Sequence, residues 1–272
     1  ILNKGGFSIE VHGASEGQVV VGEFRSAFPW KPKVFGWLPE DYEKSIAAFD
    51  RQGGALLGSL LILAIFSAIV AVLNRDLTFL IFAGWLVASL RVAALNGGWD
   101  KDWLGLPLAD NVYLAFLRVT MAAYGLLTVA MFRSLFVTAN SSKLVRYYFG
   151  TLQVALLVLV AVSAFLSHLE FLRSFWLVSA LSLGAATAYL VKILFVSPSR
   201  VAYWYSASWF TMIAGMLSEI GFQAGLNQIP TWLNSQTTAI VSALTMGIAL
   251  ADKLKSEREA RLRAQASSLK YL

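Results

Sequence analysis

Seven apolar stretches of roughly 20 residues each, parted by short polar breaks, limit what this chain can fold into more than any other feature. They are Gly53–Leu73, Leu77–Leu95, Val112–Phe132, Phe149–His168, Leu172–Val196, Val201–Gln223 and Trp232–Ala251. A helix rises ~1.5 Å per residue, so ~20 residues cross the ~30 Å hydrocarbon core of a bilayer. Membrane-spanning strands would instead show ~10-residue alternating segments, and these blocks do not alternate. Charged residues make up 14% of the chain, well under the ~25% of soluble domains. The expected class is therefore an all-α integral membrane protein, a seven-transmembrane helix bundle. Short linkers predict sequential antiparallel neighbours, with only Leu169–Phe171 left to part the fourth span from the fifth.

Orientation follows from Lys and Arg in the short connections. One side carries Arg75, Arg133, Lys143, Arg146, Lys192, Arg200 and the run from Lys253 to Lys270, and the other carries Lys101 and Arg173, with Arg51 at the lip of the first span. The basic side is expected to be cytoplasmic, placing the N-terminus outside and the C-terminus in the cytoplasm, in a bacterial inner membrane. Trp99, Trp103 and Trp232 then fall near the outer interface and Trp204 near the inner one. This asymmetry accounts for the net charge of +6 without nucleic acid as a partner.

The first 50 residues read differently. Phe7–Val11 and Val19–Phe24 have strand character across a Gly- and Ser-bearing turn, and residues 28–39 form a Pro-rich connector. Two strands cannot bury a core alone. The segment is either a small outer cap or the end of a larger β-rich periplasmic domain over 1–38. A short linking helix over 39–52 leads into the bundle at 53–251, and 252–272 continues as a cytoplasmic helical extension. The chain starts with Ile and ends within a helical pattern, which reads as a portion of something longer.

Several chemistries are excluded. The chain has no Cys and two His, His12 and His168, which removes disulfides, thiolate sites, bis-histidine haem and most zinc sites. The last span has no Lys for a retinal Schiff base. Gly-rich phosphate loops, a Ser-His-Asp set and HExxH are missing, so neither a catalytic residue, a metal site nor a cofactor is expected. His168 beside Glu170 reads as an interfacial pair.

Three charges lie clearly inside spans, away from their ends, where each costs roughly 2.5–3.5 kcal/mol on insertion scales and needs a partner or a purpose. These are Arg91, Arg118 and Glu219, all in the outer third of the bundle. Gly84, Ala88 and Arg91 share one helix face; so do Asn111, Arg118 and Gly125; so do Ser208, Gly215 and Glu219, with Gln223 one turn on; and Asn234, Thr238 and Ser242 repeat at four. The stripes place spans two, three, six and seven around a polar outer cavity. In one reading Arg91 and Arg118 hold an anionic ligand there, with Asn111, Gln223 and Asn234 lining the site and Glu219 balancing charge. The alternative is an internal Arg–Glu lock, or Arg side chains snorkelling to the surface.

The segment "LNRDLTFLIFAGWLVASLRVAAL" (73–95), the exit "ALADKLKSEREARLRAQ" (249–265) and the rhythm between them resemble the membrane domain of bacterial seven-transmembrane receptors with diverse intracellular signalling modules. The likeness covers about 53–263. It implies a periplasmic sensor for carbohydrate or another small ligand, this bundle, and a cytoplasmic output such as a diguanylate cyclase or histidine kinase. The sequence carries no GGDEF string and no phospho-acceptor His after the last span. No binding residue carries over by motif. The expected function is a sensory receptor domain relaying a periplasmic signal to an output module. The alternatives are a small-solute transporter or channel subunit, or a structural membrane subunit without a ligand.

No Gly or Pro interrupts the chain after Gly247. A helix from Trp232 onward would project beyond the bilayer, with Leu254, Leu262 and Leu269 as relay positions. Leu262 and Leu269, seven apart, begin a seam for a homodimeric coiled coil. The bland alternative is a basic helix lying on anionic membrane lipid.

Overall fold

The computed structural model describes residues 2–3, 6–7, 36, 38–97, 110–138, 141–223 and 235–268, with the side chains of 2–3, 6–7, 52, 96–97, 110, 219–220, 222–223, 235–236 and 268 left outside the description. Seven helices occur among the described residues: α1 (Pro39–Asn74), α2 (Leu77–Gly97), α3 (Asp110–Phe136), α4 (Lys143–Val162), α5 (His168–Val196), α6 (Arg200–Gln223) and α7 (Ser235–Ser268). A two-residue antiparallel pair precedes them, β1 (Leu2–Asn3) with β2 (Gly6–Phe7), in the register Leu2↔Phe7. The strands expected over Phe7–Val11 and Val19–Phe24 lie, Phe7 apart, outside the described residues.

Each helix boundary has a local cause. Pro39 sits at the first helical position of α1, with Glu40 and Asp41 in the first turn, which suits the free amides there. The linking helix and the first span form one element of 36 residues. It ends at Arg75, whose left-handed φ of 52° is the one such value outside glycine among the described residues. The α4–α5 boundary corrects the sequence reading. The predicted fourth span ran to His168, but α4 ends at Val162, and Leu169–Phe171 belongs to the first turn of α5. Ser167 and Glu170 form a capping box, the hydroxyl accepting from the Glu170 amide and the carboxylate accepting from the Ser167 amide.

Six of the seven helices are long and apolar enough to cross a membrane. The sixth predicted span, α6, falls short of that apolarity. Tyr203, Trp204, Tyr205, Ser206, Ser208 and Trp209 crowd its first half. Its polar atoms are handled internally: Ser206 Oγ donates to Ala202 O and Trp209 Nε1 donates to Thr187 Oγ1 of α5. In hydrocarbon such groups must find protein partners.

Sequential helices pack against one another, α6 and α7 share the largest interface, and α7 returns to α1 and α2. The main core draws buried residues from all seven helices, and its aromatic centre sits where α3 meets α4, α5 and α6. Phe132 lies within ring-centroid distances of 5.0–6.2 Å of Phe136, Phe149, Tyr189, Tyr205 and Trp209, the range favoured by aromatic pairs. A smaller cluster of Ala122, Leu159, Phe171 and Phe175 fills the other end. Outward faces are apolar too: Ile62, Phe66 and Ile69 of α1 and Leu157, Leu177 and Leu181 of α4 and α5 are exposed. A surface of that extent suits lipid and not water. This is a multi-pass membrane protein.

Candidate functional site at the exit of the last helix

The α1–α2 turn and α7 are joined by a polar contact built from six side chains. Asp76 stands just before α2, and its Oδ1 accepts from the Thr78 amide at 2.8 Å, closing the start of the helix. Its Oδ2 faces Lys253 Nζ at 3.3 Å, and the same ammonium donates to Thr78 Oγ1 at 2.8 Å. One turn on, Glu257 lies 3.5 Å from Lys253. Asn74, the last residue of α1, donates through Nδ2 to Val70 O at 2.9 Å and accepts Arg258 Nη2 on Oδ1 at 3.0 Å. Asp76 and Asn74 thus each hold a local helix end with one atom and α7 with the other.

The electrostatics agree with this geometry. Burial alone would raise the Asp76 carboxyl. The amide and hydroxyl of Thr78 and the charge of Lys253 outweigh that effect and hold it below its ordinary value. Side-chain exposure of Lys253 and Asp76 is 20% and 18%, so water screens this pair less than it screens Arg263 and Glu259, at 80% and 48%. Arg75, between Asn74 and Asp76, holds the left-handed conformation that brings both toward α7. For a non-glycine residue that conformation costs on the order of 1–3 kcal/mol, and such strain gathers at functional sites. Beyond Glu257 the described residues of α7 are exposed, so this contact is where the helix leaves the bundle.

The predicted relay and ligand residues distribute unevenly. Leu254 packs against the core, Leu262 is 65% exposed, and Leu269 lies outside the described residues. Ser208 and Ser242 do face each other, their hydroxyls 2.8 Å apart. Gly215 lies against Thr238 so closely that an added Cβ would come within 2.9 Å of the Thr238 Cβ. The α6 and α7 stripes therefore meet, as their spacing predicted. The α3 stripe turns elsewhere. Gly125 contacts Leu156 of α4 and Phe175 of α5, and buried Arg118 donates through Nη2 to Ala164 O at 3.3 Å, in the α4–α5 turn. Arg118 Nε is buried with no partner among the described residues. His168 is within electrostatic reach of that guanidinium, a neighbour the sequence reading paired only with Glu170. Arg91 is half-buried near the end of α2, and Asn111 is exposed, its Oδ1 accepting from the Val112 amide. The side chains of Glu219 and Gln223, and all of Asn234, lie outside the described residues.

Sequence reading missed the Asp76–Lys253 contact, although a signal was present. Asp76 is the lone acid in connections that otherwise carry Arg75, Lys143 and Arg200.

Residues 52–253 match the family of 7TM diverse intracellular signalling domains. The chain belongs to that family. No curated protein and no solved structure matches it. The matched segment begins within α1 and ends on Lys253, so it takes in the α1–α2 turn and the Asp76–Lys253 pair, while Glu257 and Arg258 lie beyond it. Membership makes this a transmembrane sensory signalling domain, a role that family membrane domains perform without catalysis.

Proposed function

We propose that this domain relays a periplasmic signal through its bundle to a cytoplasmic output module, such as a diguanylate cyclase or histidine kinase, by moving α7. The observation that carries this reading is the grip of the α1–α2 turn on α7 at Lys253 and Arg258. α7 has 34 residues, about 51 Å of helix at ~1.5 Å per residue, so its far end lies beyond a ~30 Å hydrocarbon core. A helix held at its exit by two polar struts has two arrangements, gripped and released, and a stimulus that favours one shifts their populations. On this reading the basic end is cytoplasmic, the membrane is a bacterial inner membrane, and the exit helices pair in a homodimer along Leu262 and Leu269.

The ligand side of the proposal rests on Arg118. A guanidinium that buried, with Nε unpartnered among the described residues, suits an anionic group of a small ligand or of a periplasmic sensor segment. Arg91, Asn111, Glu219, Gln223 and Asn234 stay proposed as polar lining of an outer cavity, apart from the face on which Arg118 meets the α4–α5 turn. The test is insertion of two Gly after Lys255 in the full-length receptor, read as output activity with and without stimulus. Loss of the stimulus response with folding intact is expected; an unchanged response would sink the relay. Solute flux through the intact domain in proteoliposomes would favour a transporter instead.

A further inference from the structure

At the basic end of the bundle α4 and α5 stand apart, and a groove of about 410 Å³ lies between them. Its walls are Leu144, Tyr148 and Phe149 of α4 and Ala185 and Ala188 of α5, with Lys192 at one end. Ala185, Ala188 and Lys192 fall at i, i+3 and i+7, one face of α5, so two small side chains set the wall back beneath a single ammonium. The hydroxyls near the groove are already used: Tyr148 donates to Leu181 O at 3.3 Å, and Tyr189 lies 3.3 Å from Ser141 Oγ. What remains is an apolar trough with a cation at its mouth. Its size falls in the roughly 300–1,000 Å³ of ligand sites.

Charge says what fills it. Lys192, and Lys143 and Arg146 in the first turns of α4, form no hydrogen bond or ion pair through their side chains among the described residues. No acid occurs from Lys143 to Val162, and the one acid of α5, Glu170, sits in its first turn at the opposite end. The trough also opens sideways, beside exposed Leu144, Leu177 and Leu181. A lipid reaches such an opening by lateral diffusion and fills the apolar trough with its acyl chain, whereas a water-soluble anion meets the ammonium and leaves the apolar walls uncovered. We propose that the α4–α5 groove is a binding site for an anionic glycerophospholipid, with acyl chain along Phe149, Ala185 and Ala188 and phosphate on Lys192. Basic pockets between helices near the membrane surface hold such head groups.

The full chain is placed in nanodiscs of equimolar phosphatidylglycerol and phosphatidylcholine, released, and its retained lipid weighed by native mass spectrometry. Wild type should keep phosphatidylglycerol in preference. Lys192→Gln should weaken that retention about fivefold, the effect of one cation near the surface, while Arg261→Gln on the exit helix leaves it unchanged. Ala188→Trp, which fills the trough at an exposed position, should release both lipids. Equal retention of the two lipids overturns the proposal. So does a Lys192→Gln effect no larger than that of Arg261→Gln, or displacement of the lipid by inorganic phosphate. If Ala188→Trp fails to fold, the comparison of the two charge variants still decides.

Discussion

Lys253→Met tests the grip on α7 with the least collateral change. Methionine keeps the apolar stem of the lysine and removes the ammonium, which touches Thr78 Oγ1 at 2.8 Å and Asp76 Oδ2 at 3.3 Å. Asp76→Asn is the matching change, because Asn caps a helix about as well as Asp. It should keep the bond from the Thr78 amide and lose the charge. Exposed ion pairs contribute ~0.2–1 kcal/mol, and hydrogen bonds to charged groups ~1.5–3 kcal/mol. With side chains about one-fifth exposed, at 20% and 18%, the pair lies between these limits, and the expected coupling is about 1 kcal/mol. Unfolding free energies in mixed micelles for wild type, both single variants and the double variant give that coupling directly. Since the chain has no Cys, spin labels at Leu73→Cys and Glu259→Cys report the same event as a distance, narrow in wild type and broad in Lys253→Met. The sign of the pH dependence is set by Asp76, whose carboxyl is held below its ordinary 3.8. Such a group stabilises above its unfolded value and loses that contribution as pH falls through the lower folded one. Coupling should therefore be flat across about pH 5–8 and fade only in acid below the ordinary carboxylate range. Additive single variants, within roughly 0.3 kcal/mol, together with an unchanged label distance, would refute the reasoning.

Other positions carry their own expectations. Gly215→Ala should destabilise the α6–α7 interface by about 1–3 kcal/mol through overpacking against Thr238, and Thr238→Ala in the same chain, which removes the Oγ1 and Cγ2 contacts but keeps the Cβ, should restore part of the loss on thermal melting. Ser167→Ala removes the cap of α5 and should cost about 0.5–2 kcal/mol, measured by unfolding in micelles. Arg75→Gly relaxes the left-handed turn and should raise stability by up to about 1 kcal/mol; a fall would mean that the Arg75 side chain holds a contact that outweighs the strain. Arg118→Met should abolish binding of an anionic ligand identified for the receptor while leaving the circular dichroism helical, and unchanged affinity would remove Arg118 from the ligand site.

Helix number and order were legible because lipid demands ~20-residue apolar blocks whatever surrounds them. Which face of each block turns inward was harder to read. On α1 the buried residues are Leu56, Leu60, Ala64, Ser67 and Ala71, and the exposed ones are Leu61, Ile62, Ile65, Phe66 and Ile69. Both sets are apolar except Ser67, so the contrast that orients a soluble amphipathic helix is weak. Small and hydroxyl residues mark the inner face instead. That signal succeeded for Ser208, Gly215, Thr238 and Ser242. It left the α3 stripe ambiguous, because Gly125 admits the Phe175 ring of α5 and so turns Arg118 toward the α4–α5 turn. The α4–α5 boundary was misplaced for a related reason. Hydropathy runs on across Ser163–Ser167, and only the Ser167–Glu170 capping pattern marks the break.

The contact at the exit of α7 was out of reach of such patterns. It joins residues 177 positions apart, and each partner has an adequate local explanation: Asp76 as the cap of α2, and Lys253 as one more cation on the basic side. What singles them out is the conjunction. A lone acid among basic connections adds little to orientation, which Lys and Arg set, but it is well placed to hold a cation. The helix that supplies that cation runs on into solvent without a Gly or Pro. A cap needs one carboxylate oxygen, and Asp76 gives the second to α7. Capping alone would be served equally by Ser, Thr or Asn. A carboxylate at this position is better explained by the helix it grips than by the helix it starts.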